Sequence, residues 1–152
     1  MTLYNQILSD LKEAMKARDA EKLGVLRMIK ASMLEKEISS RTGGEKTELS
    51  DEDALAVIVK SAKQRKDSIT QYRDAGREDL ATQEEKELEI IETYLPKQLT
   101  EDEIAGIVDD AISQSGAEGM KDMGKVMGFV MPKVKGKADG NLVNKIVKEK
   151  LA

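Results

Sequence analysis

Apolar residues recur at three- and four-residue spacing along almost the whole chain, and this period constrains the fold more than any other feature. Side chains so spaced share one face of an α-helix. Ile7, Leu8, Leu11, Ala14 and Met15 make the first stripe. Asp19 reads as the N-cap of a second helix, with Val25, Leu26, Ile29 and Met33 on its inner face. Ser39-Ser40-Arg41-Thr42-Gly43-Gly44 is a loop by composition. Ser50 and Asp53 form a capping pair ahead of Leu55, Ile58, Val59 and Ala62. That third helix is expected to run to about Ala75, where Gly76 stops it. A fourth helix carries Leu88, Ile91 and Leu95 and ends at Pro96, because the residue before a proline avoids helical geometry.

Pro96-Lys97-Gln98-Leu99 reads as a boundary. Thr100 and Glu103 then make a capping box, followed by Ile104, Ile107, Val108, Ala111 and Ile112. Gly116 suits a helix C-terminus. A short helix with Met123, Val126, Met127 and Val130 inward is expected to close at Pro132. Asp139 caps a last helix bearing Leu142, Val143, Ile146, Val147 and Leu151. The expectation is an all-α chain, with a four-helix N-terminal subdomain over 1–96 and a small three-helix C-terminal subdomain over 97–152.

Composition limits the chemistry. The 152 residues include no His, no Cys and no Trp. That excludes disulfide scaffolds, thiolate nucleophiles and His-based triads, and it removes the usual ligands of zinc, copper and haem. No metal and no cofactor are expected, and catalysis by the chain alone is disfavoured. The acid pairs Asp51/Glu52, Glu84/Glu85 and Asp109/Asp110 are adjacent on helices, so they point apart and make poor acid–base or magnesium pairs. Gly43-Gly44-Glu45-Lys46 lacks the spacing of a phosphate-binding loop. No apolar run approaches the roughly 20 residues of a membrane span, and the N-terminus lacks the pattern of a signal peptide. A soluble cytoplasmic protein without membrane contact is the expectation.

Charge is unevenly placed. On the helical wheel of the third helix, Lys66, Arg73 and Arg77 fall on the meridian of the apolar stripe, opposite a fourth helix rich in glutamate. They either pair across a helical hairpin or form a basic tip. In the tail, residues 101–118 hold six acids and no base, whereas 121–152 hold eight lysines against three acids. The net charge of −4 averages these opposites. Lys133, Lys135 and Lys137 alternate in a stretch that cannot bury them all, ahead of a helix N-terminus. Phosphate contact is one reading and a merely solvated loop is the other; no aromatic platform is evident beside them. Gly124 and Gly128 suggest close packing of a short helix. Met120, Met123, Met127 and Met131 suit core filling or a pliable partner groove.

Several runs together carry a resemblance. Leu26-Arg27-Met28-Ile29-Lys30-Ala31, Lys63-Gln64-Arg65-Lys66-Asp67-Ser68, Ala75-Gly76-Arg77-Glu78-Asp79-Leu80, Tyr94-Leu95-Pro96-Lys97-Gln98-Leu99 and Met123-Gly124-Lys125-Val126-Met127-Gly128 resemble the YqeY family from about residue 3 to residue 151. Gly136-Lys137-Ala138-Asp139-Gly140 is similar to the C-terminal tail of GatB, a component of the tRNA-dependent Asp/Glu amidotransferase. The resemblance implies the two helical subdomains. It also implies tRNA as a partner, alongside aminoacyl-tRNA amidation or synthetase machinery. The family label of carbon–nitrogen ligase with glutamine as amido-N-donor is inherited from the larger enzyme. On this reading Lys125, Lys133, Lys135, Lys137 and Lys145 bear on phosphate, with Asn141 and Asn144 as neutral hydrogen-bonding partners. A protein–protein adaptor without nucleic acid is the alternative.

Overall fold

The computed structural model describes residues 1–41, 44 and 48–152. Thr42 and Gly43 of the expected loop, and most of the Gly43–Lys46 run, therefore lie outside the described residues. The described residues form seven α-helices and one short 3-10 turn, with no strand among them, so the all-α expectation holds. The chain divides into two compact units, Met1–Leu95 and Pro96–Ala152.

The first unit contains α1 (Leu3–Ala17), α2 (Ala20–Ser39), α3 (Asp51–Asp74) and α4 (Glu78–Glu92). Its helix starts follow from capping chemistry. The side chains of Thr2, Asp19 and Ser50 accept from the backbone N–H groups of Asn5, Lys22 and Asp53, each at 3.1 Å. Ile7, Leu11, Val25, Leu26, Ile29, Met33, Ala54, Ile58, Ala62 and Ile91 fill the core. Met15 does not join them and is exposed. The inner row of α3 also differs from the wheel. It runs Ala54, Ile58, Ala62 and Ile69, while Leu55 and Val59 are only half-buried. Small alanines let the neighbouring helix approach, which rotates the buried meridian about 45° back, away from Lys66 and toward Arg65. Arg73 and Arg77 are exposed, and Lys66 is half-buried.

Helix α4 stops at Glu92, earlier than Leu95. The Thr93 hydroxyl donates to the Ile90 carbonyl at 2.7 Å and closes the last turn. Beyond it, Tyr94 donates from its hydroxyl to Asp10 Oδ2 at 2.7 Å. Burial, and then the Asp10 carboxylate, push the Tyr94 phenol above its ordinary value. A phenol that holds its proton more tightly when folded adds stability below its unfolded pKa of about 10, and that contribution fades as pH rises further. Tyr94→Phe is expected to cost about 1 kcal/mol at neutral pH, with the difference narrowing above about pH 10. Urea unfolding of both proteins at neutral and alkaline pH checks this.

The second unit contains α5 (Glu101–Ser115), a 3-10 turn (Met120–Asp122), α6 (Met123–Val134) and α7 (Gly140–Leu151). The Thr100 hydroxyl accepts from the Glu103 N–H at 3.2 Å, and Gly116 ends α5 in the left-handed region at φ 68°. Ile104, Val108, Ala111, Val126, Val130, Val134, Val143, Ile146, Val147 and Leu151 make its core. Pro132 does not close α6 but sits inside it. The missing N–H forfeits one bond to the Gly128 carbonyl. The helix continues because Val134 is buried and Lys135 N–H donates to the Met131 carbonyl at 3.0 Å.

Candidate nucleic-acid interface

The inner row of α6 is Val126, Val130 and Val134. On its flank Lys125, Phe129 and Lys133 follow one another at four-residue spacing, and all three are exposed. Neighbours so spaced stand about 6 Å apart. Phe129 leaves 40% of its surface to solvent. The adjacent row, Gly124 and Gly128, meets nothing among the described residues where a Cβ would stand. Those glycines therefore serve no tight packing, and they leave bare backbone beside the Phe129 ring. The methionines do not form a single groove: Met123 and Met127 lean on the core, while Met120 and Met131 are exposed.

The turn after α6 is anchored rather than loose. Gln98 Nε2 donates to the Gly136 carbonyl at 3.0 Å, and Leu99 N–H donates to the Lys137 carbonyl at 2.8 Å. Gly136 is buried at φ 75°, a conformation that favours glycine. Lys133, Lys135 and Lys137 thus stand, exposed, on the last turn of α6 and a fixed reverse turn. Asp139 Oδ1 accepts from the Asn141 N–H at 2.9 Å, so the start of α7 already has its own carboxylate. Asn141 and Lys145 share an exposed row one helical turn apart.

Asn144 departs from the expected set. It is half-buried beside Val143 and Val147, and its Oδ1 is enclosed without a hydrogen-bond partner among the described residues. Lys150 pairs with Asp109 at 2.8 Å. Phe129 is the residue that sequence reasoning missed. Its signal was the Lys–x3–Phe–x3–Lys spacing, which stays ambiguous until the buried row of α6 is known.

In the first unit the hairpin arginines Arg65, Arg73 and Arg77 are paired, whereas Lys66 takes part in no ion pair among the described residues. Arg65 Nη1 donates to Glu84 at 3.0 Å and to Glu87 at 2.7 Å. Arg73 bonds Glu78 and Glu85, and Arg77 bonds Asp79. These carboxylates hold both exposed guanidiniums above their ordinary value, and Arg77 in turn lowers Asp79. A groove of about 500 Å³ between α2 and α3 is lined by Ser32, Lys36, Lys60 and Ser61 among others. Among the described residues no group of acids is placed to hold a metal, and no helix is long and apolar enough to cross a membrane.

Known proteins are similar to this chain in sequence. Altered inheritance of mitochondria protein 41, mitochondrial, of Pyrenophora tritici-repentis is 33% identical over 147 residues, 95% of this chain and 78% of that protein. The protein of the same name in Vanderwaltozyma polyspora is 33% identical over 120 residues, 75% of this chain and 63% of that protein. A glutamyl-tRNA(Gln) amidotransferase component of Thermococcus gammatolerans is 40% identical over 57 residues, 35% of this chain and 9% of that protein. The expectation of a cytoplasmic protein does not stand, because the first two relatives are named as mitochondrial. The features behind it, the lack of a membrane-length apolar run and of a signal-peptide pattern, do not specify a compartment. The family described as Yqey-like protein matches residues 4–151, and the chain belongs to that family.

Proposed function

We propose that the second unit is a tRNA-contacting module, free-standing or accessory to aminoacyl-tRNA amidation, and that it holds RNA rather than transforms it. The observation that carries this reading is the exposed Lys125–Phe129–Lys133 row. Two ammonium groups bracket an aromatic face, so phosphate neutralisation and base stacking are available side by side. Lys135, Lys137, Lys145 and Asn141 extend the polar surface, with backbone-positioning rather than base-reading chemistry. The relative named as part of a glutamyl-tRNA(Gln) amidotransferase supports tRNA as the nucleic acid.

Filter binding with total tRNA over a salt series tests it. Affinity is expected to fall steeply with salt. Changing Lys133, Lys135 and Lys137 together to alanine should flatten the logarithmic salt slope by about 2–3. Phe129→Ala should weaken binding roughly 10- to 100-fold at every salt concentration while leaving the slope unchanged. No complex at low salt, or an unaffected triple variant, would remove the proposal. A protein partner retained after nuclease treatment would then favour the adaptor reading, with Met120 and Met131 as its exposed apolar contacts.

A further inference from the structure

Helix α2 is apolar on both sides. Val25, Leu26, Ile29 and Met33 fill the core of the first unit. On the opposite side Gly24, Met28, Ala31, Leu34 and Ile38 are exposed. Met28 leaves 56%, Leu34 47% and Ile38 53% of its surface to solvent. Contiguous exposed aliphatic side chains mark an interaction surface. Arg27 and Glu35 stand on the same face, and neither takes part in an ion pair among the described residues.

The order of these residues is self-complementary. Arg27, Ala31 and Glu35 follow at four-residue spacing and form one ridge, inclined by about 26° to the helix axis. A two-fold axis through Ala31, perpendicular to the ridge, lays that ridge antiparallel on its own copy. Arg27 of each chain then meets Glu35 of the other, and Ala31 meets Ala31. Met28 and Leu34 close on their own copies at either side. The helices cross at about twice the ridge inclination, roughly 50°. Ala31 is small enough to permit close approach at the crossing point. A parallel arrangement would instead set Arg27 against Arg27 and Glu35 against Glu35. We propose that the outer face of α2 is a homodimer interface, with two copies of this chain paired antiparallel about Ala31.

Light scattering or sedimentation of the full chain across a concentration series tests this. The mass is expected to rise from 16.8 kDa toward twice that value. A single helix pair is a small interface, so dissociation should fall in the range of about 1–100 µM. Leu34→Asp, at an exposed position that leaves the core intact, should keep the chain monomeric. Arg27→Glu should raise the dissociation constant about tenfold or more, and adding Glu35→Arg should restore it. The chain has no cysteine, so Ala31→Cys should form a disulfide dimer on oxidation. Gly24→Cys, about 10 Å along the helix from the two-fold axis, should not. A monomer at every concentration overturns the proposal and leaves the face to a different protein. A dimer indifferent to Leu34→Asp, or not restored by the double charge exchange, overturns it as well.

Discussion

Replacing Arg65 with methionine is expected to lower the unfolding free energy of the first unit by about 2–3 kcal/mol and its melting temperature by on the order of 10 °C. Arg65 occupies a core-facing place on α3. Its side chain is only 12% exposed, and those of Glu84 and Glu87 are 18% and 22% exposed. Its second guanidinium nitrogen reaches Met28 Sδ at 3.2 Å. Methionine keeps an apolar stem in the slot but leaves two adjacent carboxylates, poorly hydrated, without their shared cation. Breaking one side of a fully buried pair costs about 3–5 kcal/mol, and the remaining solvent contact here brings the figure down. Arg73→Met is the control. Arg73 also bridges two glutamates, but all three side chains are exposed, so its loss should cost under about 1 kcal/mol. Changing Glu84 and Glu87 to glutamine alongside Arg65→Met should recover much of the loss, because the uncompensated charge then disappears. Urea unfolding checks the series. Equal costs for Arg65→Met and Arg73→Met would show that burial of the Arg65 cluster does not matter.

Val130→Asp is expected to abolish the folded state of the second unit. Val130 is fully buried at the centre of the Val126–Val130–Val134 row, against Val108 and Val147 of the same core. A carboxylate there has no partner, and its desolvation costs several kcal/mol. A unit of this size has little stability in reserve. Backbone N–H resonances of the non-proline residues in 97–152 should collapse to the random-coil range. Those of Ile7, Ile29 and Ile58 should stay dispersed, since their core is made from the first unit alone. Val130→Thr, close in shape and uncharged, should retain the fold at reduced stability. Retention of native dispersion by Val130→Asp would mean that α6 does not anchor this core.

Local elements were legible to different depths. The capping residues Asp19, Ser50, Thr100 and Asp139 act where their side chains predict, because a cap is settled within one turn of chain. The inner rows of α2 and α7 also follow their spacing. The inner row of α3 does not. The pattern favours Leu55 and Val59 by hydrophobicity beside Ile58 and Ala62, whereas the packing keeps Ile58 and Ala62, takes Ala54 and Ile69 in place of the other two, and encloses Arg65. Pro132 shows the same limit from the other side. Its intrinsic tendency to end a helix is overridden by the burial of Val134 two residues later.

The candidate site was legible as charge but not as surface. Lys133, Lys135 and Lys137 are exposed as their spacing implies. Asn144 reads like Asn141 in one dimension, yet its place beside the buried Val143 and Val147 turns its Oδ1 inward. The sequence by itself determined that this chain is helical, where most of its helices begin, and that its tail is basic, because propensity, capping and charge act within a few residues. Only the tertiary structure decided that Arg65 is enclosed by two glutamates, that Phe129 lies open between two lysines, and that the outer face of α2 is left uncovered. Burial depends on which helices meet and how closely their side chains let them approach, and that is set by residues far apart in the chain.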